Sequence, residues 1–386
     1  MSDIARTLAE LGIRPYTPEE LSTIANAFKQ GLVEKKHGLK MLPSYLTIVQ
    51  PAELPTDKTA LIIETGGSNV YVGLVSMVDG MAVLSQSHKA ALPSRTYDSA
   101  RHYFETIAEL AAPILSSAKP DALGVVWAGP IHSEKRDVGN DAKVEALTKE
   151  FVIPDVYDRT IIEMTREYIG GKYAALKTLP AVVLNDTVAV LFSCGAQVGG
   201  VVGTGMNYAV STPDGIVNTE AGSFNGFPVT GILKKLDESS AYPGEMMNEK
   251  ATSGLYLPEQ FKLAIAAIQD TGYGIEMPEV VDAEALSGYA ELATPTDHSF
   301  IATQLFTTSA QLVGTEIGVA LATYHANEDN FSVPVEGSLF WGAPGYVDMA
   351  TKAASAASGK TVKFVNIPHA GRLGAGAAAL GTLLQK

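Results

Sequence analysis

The pattern of apolar and polar positions predicts buried strands that alternate with amphipathic helices. Apolar side chains recur at helical spacing from Leu21 to Leu32, and Thr17 with Glu20 just before them is typical of a capping box. Further helices are predicted over 97–117 and 158–170. Short apolar runs that are typical of buried strands cover 60–63, 70–77, 81–84, 122–130 and 181–184. The first half of the chain is therefore predicted to be an α/β fold.

The two halves of the chain share one layout. Residues 60–84 and residues 199–217 both show a strand, a glycine turn, a strand, a polar turn and a third strand. The chain is too long for one ordinary core, so two domains built on copies of one unit are expected. After residue 243 the pattern becomes mainly helical and ends in a strand over 362–367 and a last helix. A cleft between two such halves is a natural place for a ligand.

Composition narrows the class of protein. Of the 386 residues, 46% are hydrophobic and 18% are charged, which predicts folded domains rather than disorder. Lys and Arg total 28 against 42 Asp and Glu, and a net charge of −14 disfavours a nucleic-acid partner. The single cysteine, Cys194, fits a reducing compartment. No secretory signal pattern and no 18-residue apolar run are visible, so we expect a cytoplasmic protein without a membrane partner.

Glycine-rich turns follow buried strands at two places. The stretches ETGGSN (64–69) and GTGMN (203–207) set hydroxyl side chains beside glycines, whose backbone N–H groups can approach an anion closely. Plain hairpin geometry explains either turn alone, whereas the same device in both halves favours a phosphate site. Neither stretch matches the Walker pattern. The stretch GAGAAA (374–379) lies too near the C-terminus for the βαβ unit that a dinucleotide fingerprint needs.

Two polar residues interrupt the apolar stretch VVLNDTVAVLF (182–192). Asn185 and Asp186 come at the carboxyl end of a predicted buried strand, where ligands bind in open α/β sheets. Asp186 as the N-cap of the following helix is an equally good interpretation of the aspartate. An N-cap does not need the preceding asparagine, whereas a polyol site does, because an amide offers donors and acceptors to hydroxyl groups.

Other short polar stretches lie in apolar or glycine-rich surroundings. They contain Thr148, Lys149, Asn207, Glu220 and Glu249. For Lys149 and Glu249, the usual explanation is a charged side chain on the solvent-exposed face of a helix. Glu220 is harder to explain in this way, because its position is predicted to lie within a strand, which disfavours Glu. Together these residue types suit binding of a sugar and transfer of a phosphoryl group.

These segments, in order along nearly the whole chain, resemble the eukaryotic-type hexokinases and glucokinases of the actin-like ATPase superfamily. The resemblance is carried by GLKMLPSYL (38–46), ETGGSNVYV (64–72), GVVWAGP (124–130) with LTKEF (147–151), LNDTVAVLFS (184–193), VGTGMNYAV (202–210), VNTEAGSF (217–224), LDESSAYPGEMMNEKATSGLYLPE (236–259), and VEGSLF (335–340) with AGRLGAGAAAL (370–380). It implies a two-domain actin-like (ribonuclease H-like) α/β fold with an interdomain cleft. The expected small domain is 57–186 plus 374–386, and the expected large domain is 1–56 plus 187–373.

The resemblance also implies an activity, the ATP-dependent phosphorylation of a hexose at its 6-hydroxyl at the start of glycolysis, with glucose favoured. Asp186 would accept the hydroxyl proton, and Lys149 would offset the charge of the transferring phosphoryl group. The implied sugar-binding residues are Thr148, Lys149, Asn185, Asp186, Asn207, Glu220 and Glu249. The implied nucleotide-binding residues are Gly66, Gly67, Ser68, Asn69, Gly203, Thr204, Gly205, Gly337 and Ser338. Mg²⁺ would bridge ATP oxygens, with Glu64 acting on it through water.

The chain departs from the family pattern at three places, and three rival functions follow from the resemblance. Glu64 stands where the family has Asp, Ala128 and Gly129 where it has Ser and Phe, and Ala221 where it has Trp. Glu64 is expected to be tolerated with altered geometry at Mg²⁺, whereas the changes at Ala128, Gly129 and Ala221 bear on the sugar preference and affinity rather than on the reaction. The rivals are a kinase for another hexose such as mannose, fructose or glucosamine, a catalytically weak sugar sensor, and a polymerising or chaperone-type ATPase.

Overall fold

The structure is a computed structural model that describes residues 2–66, 68–147, 151–280, 282–292, 294 and 296–385, with only the backbone of residues 2 and 3. The strands are β1 (Leu42–Pro43), β2 (Thr59–Thr65), β3 (Asn69–Val78), β4 (Met81–Ala91), β5 (Ala122–Trp127), β6 (Ile131–Lys135), β7 (Asn140–Val144), β8 (Ala181–Asn185), β9 (Val198–Val202), β10 (Met206–Thr212), β11 (Gly215–Asn218), β12 (Asn330–Glu336) and β13 (Thr361–Val365). All five strands predicted in the first half are therefore present, although β4 extends to Ala91 beyond its predicted end and β5 ends at Trp127, before its predicted end at 130.

The helices are α1 (Ser2–Glu10), α2 (Pro18–Glu34), α3 (Ala100–Leu110), α4 (Ala112–Leu115), α5 (Ile161–Met164), α6 (Gly170–Lys172), α7 (Asp186–Phe192), α8 (Gly231–Ser239), α9 (Met247–Thr252), α10 (Leu257–Gln269), α11 (Ala283–Ala290), α12 (Asp297–Tyr324), α13 (Ser338–Gly342), α14 (Tyr346–Ser358) and α15 (Ala370–Gly381). The capping box at the start of α2 is confirmed, since Thr17 and Glu20 exchange both hydrogen bonds. The predicted helix over 158–170 is instead short α-helical turns joined by a π-helical turn at Thr165–Ile169.

The chain divides into two compact units. We call the first the helical unit, which consists of Met1–Met41, Gly200–Tyr208 and Thr219–Asn366. We call the second the sheet unit, which consists of Leu42–Gly199, Ala209–Asn218 and Ile367–Lys386. These units differ from the predicted domains at 42–56, 187–199, 209–218 and 367–373, all of which lie in the sheet unit. The division into small and large family domains stays a prediction.

The sheet unit contains a five-stranded sheet in the order β4-β3-β2-β5-β8. Strands β4, β3 and β2 form an antiparallel meander, and β2, β5 and β8 run parallel. One face of the sheet packs on α3 and α5 with Phe104 and Ile161, and the other packs on α7 and α15 with Val188 and Ala375. With both faces covered, the central parallel strand β5 is apolar along its whole length, as its sequence predicted.

Five strands of a second sheet have the same spatial arrangement as the strands of the first. Strands β11, β10, β9, β12 and β13 lie side by side in that order. Strand β10 pairs antiparallel with β11, and β12 pairs parallel with both β9 and β13. The antiparallel meander followed by two parallel strands matches the sheet of the sheet unit strand for strand. The two copies of one unit predicted from the glycine turns are therefore confirmed.

Helix α12 is the long central helix of the helical unit. It packs against α14 so closely that a Cβ atom on Gly314 or Gly318 would clash with the carbonyl oxygens of Ala350 and Ala354. By length and composition α12 could also cross a membrane, yet 78% of its most apolar window is buried inside the protein. Such burial is typical of a core helix. The absence of a membrane partner stays a prediction.

Candidate functional site

In the sheet unit, the predicted site residues lie at the carboxyl ends of three parallel strands. The pairing register aligns Thr65 of β2 with Trp127 of β5, and Trp127 with Asn185 of β8. Neighbouring strands are about 4.8 Å apart, so the ends of β2 and β8 are roughly 10 Å from each other. Asp186 follows directly, and its side chain is half-buried. This edge therefore brings Asp186 and the first glycine turn into one neighbourhood, as expected for the ligand edge of an open sheet.

Asn185, and not Asp186, is the N-cap of α7. The Oδ1 atom of Asn185 accepts hydrogen bonds from the Thr187 backbone N–H at 3.0 Å and from its hydroxyl group at 2.6 Å. The capping alternative for Asp186 was therefore wrong, because the helix begins at the aspartate itself. Asn185 also donates to the carbonyl oxygen of Gly129 at 3.1 Å. A buried structural role thus accounts for the asparagine, and its sugar contact stays a prediction.

Glu64 is part of an ion pair. Its Oε2 atom accepts a hydrogen bond from Nε of Arg372 at 2.6 Å, and both side chains are largely buried. The guanidinium carbon of Arg372 lies 3.7 Å from the centre of the Tyr71 ring, a cation–π contact. His369 also contacts Arg372, at 3.2 Å between Nδ1 and Nη1. The carboxylate predicted to act on a metal-bound water is therefore held by a cation from the last helix.

The first glycine turn is closed by its own backbone. The N–H of Gly66 donates to the carbonyl oxygen of Asn69 at 2.9 Å, which is ordinary hairpin geometry. Ser68 lies within reach of a cation, since its Oγ atom is 3.4 Å from Nη2 of the exposed Arg95. The predicted residues Gly67, Thr148 and Lys149 lie outside the residues that the structure describes.

In the helical unit, Asn207, Glu220 and Glu249 lie close together. The Oδ1 atom of Asn207 accepts a hydrogen bond from the N–H of Ala221 at 3.0 Å. Glu249 Oε2 lies 3.4 Å from the N–H of Met206, and it is within 2.9 Å of where a Cβ atom on Gly205 would lie. The structure therefore brings three separate sequence segments, each with one predicted sugar-binding residue, into one cluster.

The prediction that Glu220 lies within a strand was wrong. β11 ends at Asn218, and Glu220 adopts a left-handed conformation with φ 53° and ψ 48°. Few residues other than glycine adopt this region, so the surrounding structure holds the backbone in a sparsely populated state. Such strain is common at ligand sites.

The second glycine turn and the start of α13 form one compact corner of the helical unit. The N–H of Gly203 donates to the carbonyl oxygen of Gly205 at 2.9 Å. Gly337 has φ 131°, and a Cβ atom there would clash with the carbonyl oxygen of Val202. Only glycine lets the β12–α13 connection pass so close to the end of β9. The predicted residues Gly203, Thr204, Gly205, Gly337 and Ser338 therefore lie together.

A cavity of about 550 Å³ opens beside this corner. Ser338 and Leu339 of α13 form one wall, and Glu284, Ser287 and Glu291 from α11 and its C-terminal end form another. Its volume suits a drug-sized or nucleoside-sized ligand. The cavity is built entirely from residues of the helical unit.

The sequence analysis did not identify two candidate functional residues, Asn248 and Glu316. Both side chains are fully buried, and Asn248 Nδ2 donates to Glu316 Oε2 at 2.9 Å. Burial raises the pKa of the Glu316 carboxyl to about 8. A signal was present, because after Asp297 at its start Glu316 is the one charged residue of the 28-residue helix α12. Asn248 has no such signal beyond its place next to Glu249.

The described part of the chain contains no metal site formed by protein side chains alone. No group of three or more His, Cys, Asp and Glu side chains lies close enough together there. Mg²⁺ is commonly held by one or two carboxylates with substrate phosphates and several waters, so single carboxylates suffice. With Oε2 of Glu64 taken by Arg372, its Oε1 atom is the oxygen that could face a metal-bound water. The donor set therefore fits an ion that arrives with a nucleotide.

Comparison with known proteins identifies the family. A sequence model described as hexokinase matches residues 14–196, and a second one with the same description matches residues 197–296. Together they cover most of the chain. The chain belongs to the hexokinase family.

Individual relatives are distant in sequence. Hexokinase-1 of Saccharomyces cerevisiae is 25% identical over 282 residues, which is 63% of this chain and 56% of that protein. The hexokinase of Schistosoma mansoni is 28% identical over 259 residues, which is 60% of this chain and 56% of that protein. In sequence, the matched stretch thus spans just over half the length of these relatives.

Solved structures agree in fold. The Schistosoma mansoni hexokinase complexed with glucose superposes with a TM-score of 0.76 at 22% identity, over 98% of both chains. A glucokinase of the ROK family from Streptomyces griseus, in complex with glucose and AMPPNP, gives a TM-score of 0.55 at 17% identity, over 83% of this chain and 99% of that one. The predicted two-domain actin-like α/β fold is confirmed.

Proposed function

We propose that this chain transfers the γ-phosphoryl group of Mg-ATP to the 6-hydroxyl of a hexose, with glucose as the favoured substrate. The observation that carries the proposal is the pairing of two arrangements in a chain of the hexokinase family. The sheet unit presents Asp186 at the carboxyl edge of its parallel strands. The helical unit gathers Asn207, Glu220 and Glu249 beside a glycine turn.

Asp186 is suited to act as the proton acceptor. Its Oδ1 atom accepts a hydrogen bond from the N–H of Thr187 at 2.9 Å, which fixes the direction of the carboxylate at the start of α7. In the proposed step, the carboxylate takes the proton of the 6-hydroxyl while O6 bonds to the γ-phosphorus. The bond from that phosphorus to the bridging oxygen breaks, and ADP leaves with the electron pair. Such transfer depends mainly on positioning and charge neutralisation.

The helical unit would hold the sugar and the nucleotide through different groups. Carboxylates accept hydrogen bonds from sugar hydroxyls, and the amide of Asn207 can both donate and accept. The corner formed by Gly203, Gly337 and Ser338 would receive phosphates, and the 550 Å³ cavity beside it would receive the adenosine. When bound, Mg²⁺ neutralises charge on the phosphate oxygens. Lys149 is proposed to share this role.

The decisive experiment measures ADP release and hexose 6-phosphate formation with Mg-ATP and glucose, mannose, fructose or glucosamine. An Asp186→Ala variant should lose about 10²- to 10⁴-fold in turnover, the usual contribution of a positioned acid or base. The matched control is Asp79→Asn, in the exposed β3–β4 turn of the same unit, where asparagine tolerates the left-handed backbone at φ 51°. Its turnover should equal that of the wild-type chain.

The panel also tests the alternatives. Turnover with another of these hexoses in preference to glucose would point to the changes at Ala128 and Gly129. Sugar binding without any turnover would refute the kinase and favour a sugar-sensing protein on this fold. ATP hydrolysis that no sugar stimulates would favour the polymerising or chaperone-type ATPase. We further propose a cytoplasmic location and a role at the start of glycolysis, without nucleic-acid or membrane partners.

A further inference from the structure

The side-chain amide of Asn248 lies where three sequence segments meet. Its Nδ2 atom is 3.0 Å from the carbonyl oxygen of Ala221, 2.9 Å from Oε2 of Glu316 and 3.7 Å from Sδ of Met206. Asn248 is fully buried in α9. One buried amide therefore ties β10, the turn after β11 and α12 to α9.

Three of the four segments that meet at Asn248, all except α12, carry a proposed sugar-binding residue next to the contact. Met206 precedes Asn207, Ala221 follows Glu220, and Asn248 itself precedes Glu249. The sugar-binding candidates thus lie one residue away from a common hydrogen-bonded centre. Asn207 and Glu249 add their own contacts across the same segments. A shift of the Asn248 amide would move all three.

Glu316 of α12 accepts a hydrogen bond from this amide. Its side chain has no exposed surface, and it reaches Asn248 from the middle of α12. Among the described residues, the Oε1 atom of Glu316, the Oδ1 atom of Asn248 and the hydroxyl group of Tyr208 are buried without a hydrogen bond of normal geometry. Buried polar groups left in this state cost free energy, so stability alone gives a poor reason for the arrangement.

We propose that Asn248 and Glu316 are positioning residues that set the geometry of Asn207, Glu220 and Glu249 for hexose binding. This inference rests on the proposed function, since it assigns the hexose to that cluster. The pair acts through its neighbours and touches no substrate. Without the Glu316 acceptor, the Asn248 amide loses its hydrogen bond to α12. The three sugar-binding side chains are then no longer held in fixed positions relative to one another.

The test compares Glu316→Leu with Glu316→Gln, which keeps an acceptor oxygen at similar volume. Hexose Kd is measured by calorimetry, and KM for hexose, KM for ATP and kcat are measured by ADP release. Glu316→Leu should raise hexose Kd and KM about tenfold, as expected for a buried donor left unpaired. KM for ATP should not change. Glu316→Gln should stay within about twofold of the wild-type chain because its side-chain oxygen can accept the same hydrogen bond.

Ser309→Ala is the matched control for a buried polar loss in α12. Ser309 donates to the carbonyl oxygen of Thr252 and contacts the Tyr346 hydroxyl, at 2.8 and 2.7 Å, and makes no hydrogen bond to Asn248. This variant should lower the melting temperature and leave hexose Kd unchanged. If Glu316→Leu does not fold, Asn248→Ala serves instead, because it removes the same amide and should show the same selective loss.

Unchanged hexose Kd in folded Glu316→Leu or Asn248→Ala would overturn the inference, and so would an equal loss of hexose and ATP affinity. A wild-type chain that binds hexose without transferring phosphoryl would refute the proposed function, while hexose Kd in the variants would still decide the positioning role. A wild-type chain that binds no hexose would refute both.

Discussion

Replacing Glu316 with Gln should remove a pH dependence from the stability of the helical unit. The carboxyl group is fully buried in α12, accepts a hydrogen bond from Asn248 and interacts with the phenol of Tyr208. The titratable groups that interact with it among the described residues are the phenols of Tyr16, Tyr208 and Tyr346. None of them offers a positive charge. Burial therefore dominates and raises the pKa from its ordinary 4.5 to about 8.

The sign follows from proton linkage. Between pH 4.5 and pH 8 the folded chain keeps a proton on Glu316 that the unfolded chain releases. Raising the pH therefore favours unfolding, and the contribution that is fully present below pH 4.5 is lost as the pH rises through about 8. Each pH unit within this window should cost about 1.4 kcal/mol. From pH 5.5 to pH 7.5 the wild-type chain should thus lose roughly 2 to 3 kcal/mol more than Glu316→Gln.

The assay is urea unfolding followed by tryptophan fluorescence at several pH values. The chain has two tryptophans, Trp341 in the helical unit and Trp127 in the sheet unit. A Trp127→Phe background therefore makes the signal report the unit that contains Glu316. Exposed Glu279→Gln is the control and should keep the wild-type slope. Equal slopes in wild type and Glu316→Gln would refute the reasoning, because no proton would then be held by the fold.

Three further outcomes follow from particular contacts. Lys250→Met leaves Asp237 without the buried ammonium 2.6 Å away and should lower the free energy of unfolding by about 3 kcal/mol, most of which Asp237→Leu in the same chain should restore. Gly337→Ala should destabilise by at least about 3 kcal/mol in urea unfolding, whereas Gly342→Ala, which has open space for a Cβ atom, should be nearly neutral. Glu64→Asp shortens a carboxylate held in an ion pair that is worth about 1 kcal/mol, so KM for Mg-ATP should fall about fivefold with hexose KM unchanged; an unchanged KM for Mg-ATP would contradict this.

What the sequence predicted well depends on neighbours along the chain. Strand β5 is visible as an apolar run, because both faces of this central parallel strand are buried. The start of α2 is visible because the capping box needs only Thr17 and Glu20. The order of both meanders is visible because turns punctuate them at fixed intervals. Each of these features is decided within a few residues.

What the sequence did not predict depends on partners far apart in it. The Asn248–Glu316 hydrogen bond joins residues 68 positions apart, and the Glu64–Arg372 pair joins residues 308 apart. The backbone of Glu220 takes its left-handed conformation from surroundings built by other segments. The capping role of Asn185 was missed because it depends on the exact residue at which α7 begins, and helix boundaries are the least certain part of such predictions.

The Glu64–Arg372 pair gives the departure from the family pattern at residue 64 a physical reason. A glutamate is one methylene longer than the aspartate that the family has, and here its Oε2 atom reaches the guanidinium of Arg372 on α15 at 2.6 Å. Arg372 in turn stacks on Tyr71, the residue opposite Glu64 across the β2–β3 ladder. The longer carboxylate therefore belongs to a set of three side chains, and its partners explain its length. A carboxylate so neutralised attracts a metal ion less strongly than a lone one, because the neighbouring guanidinium repels the cation. Glu at position 64 should consequently weaken the affinity for Mg-ATP. The affinity for the hexose should not change, because the sugar-binding cluster in the helical unit is built from other residues.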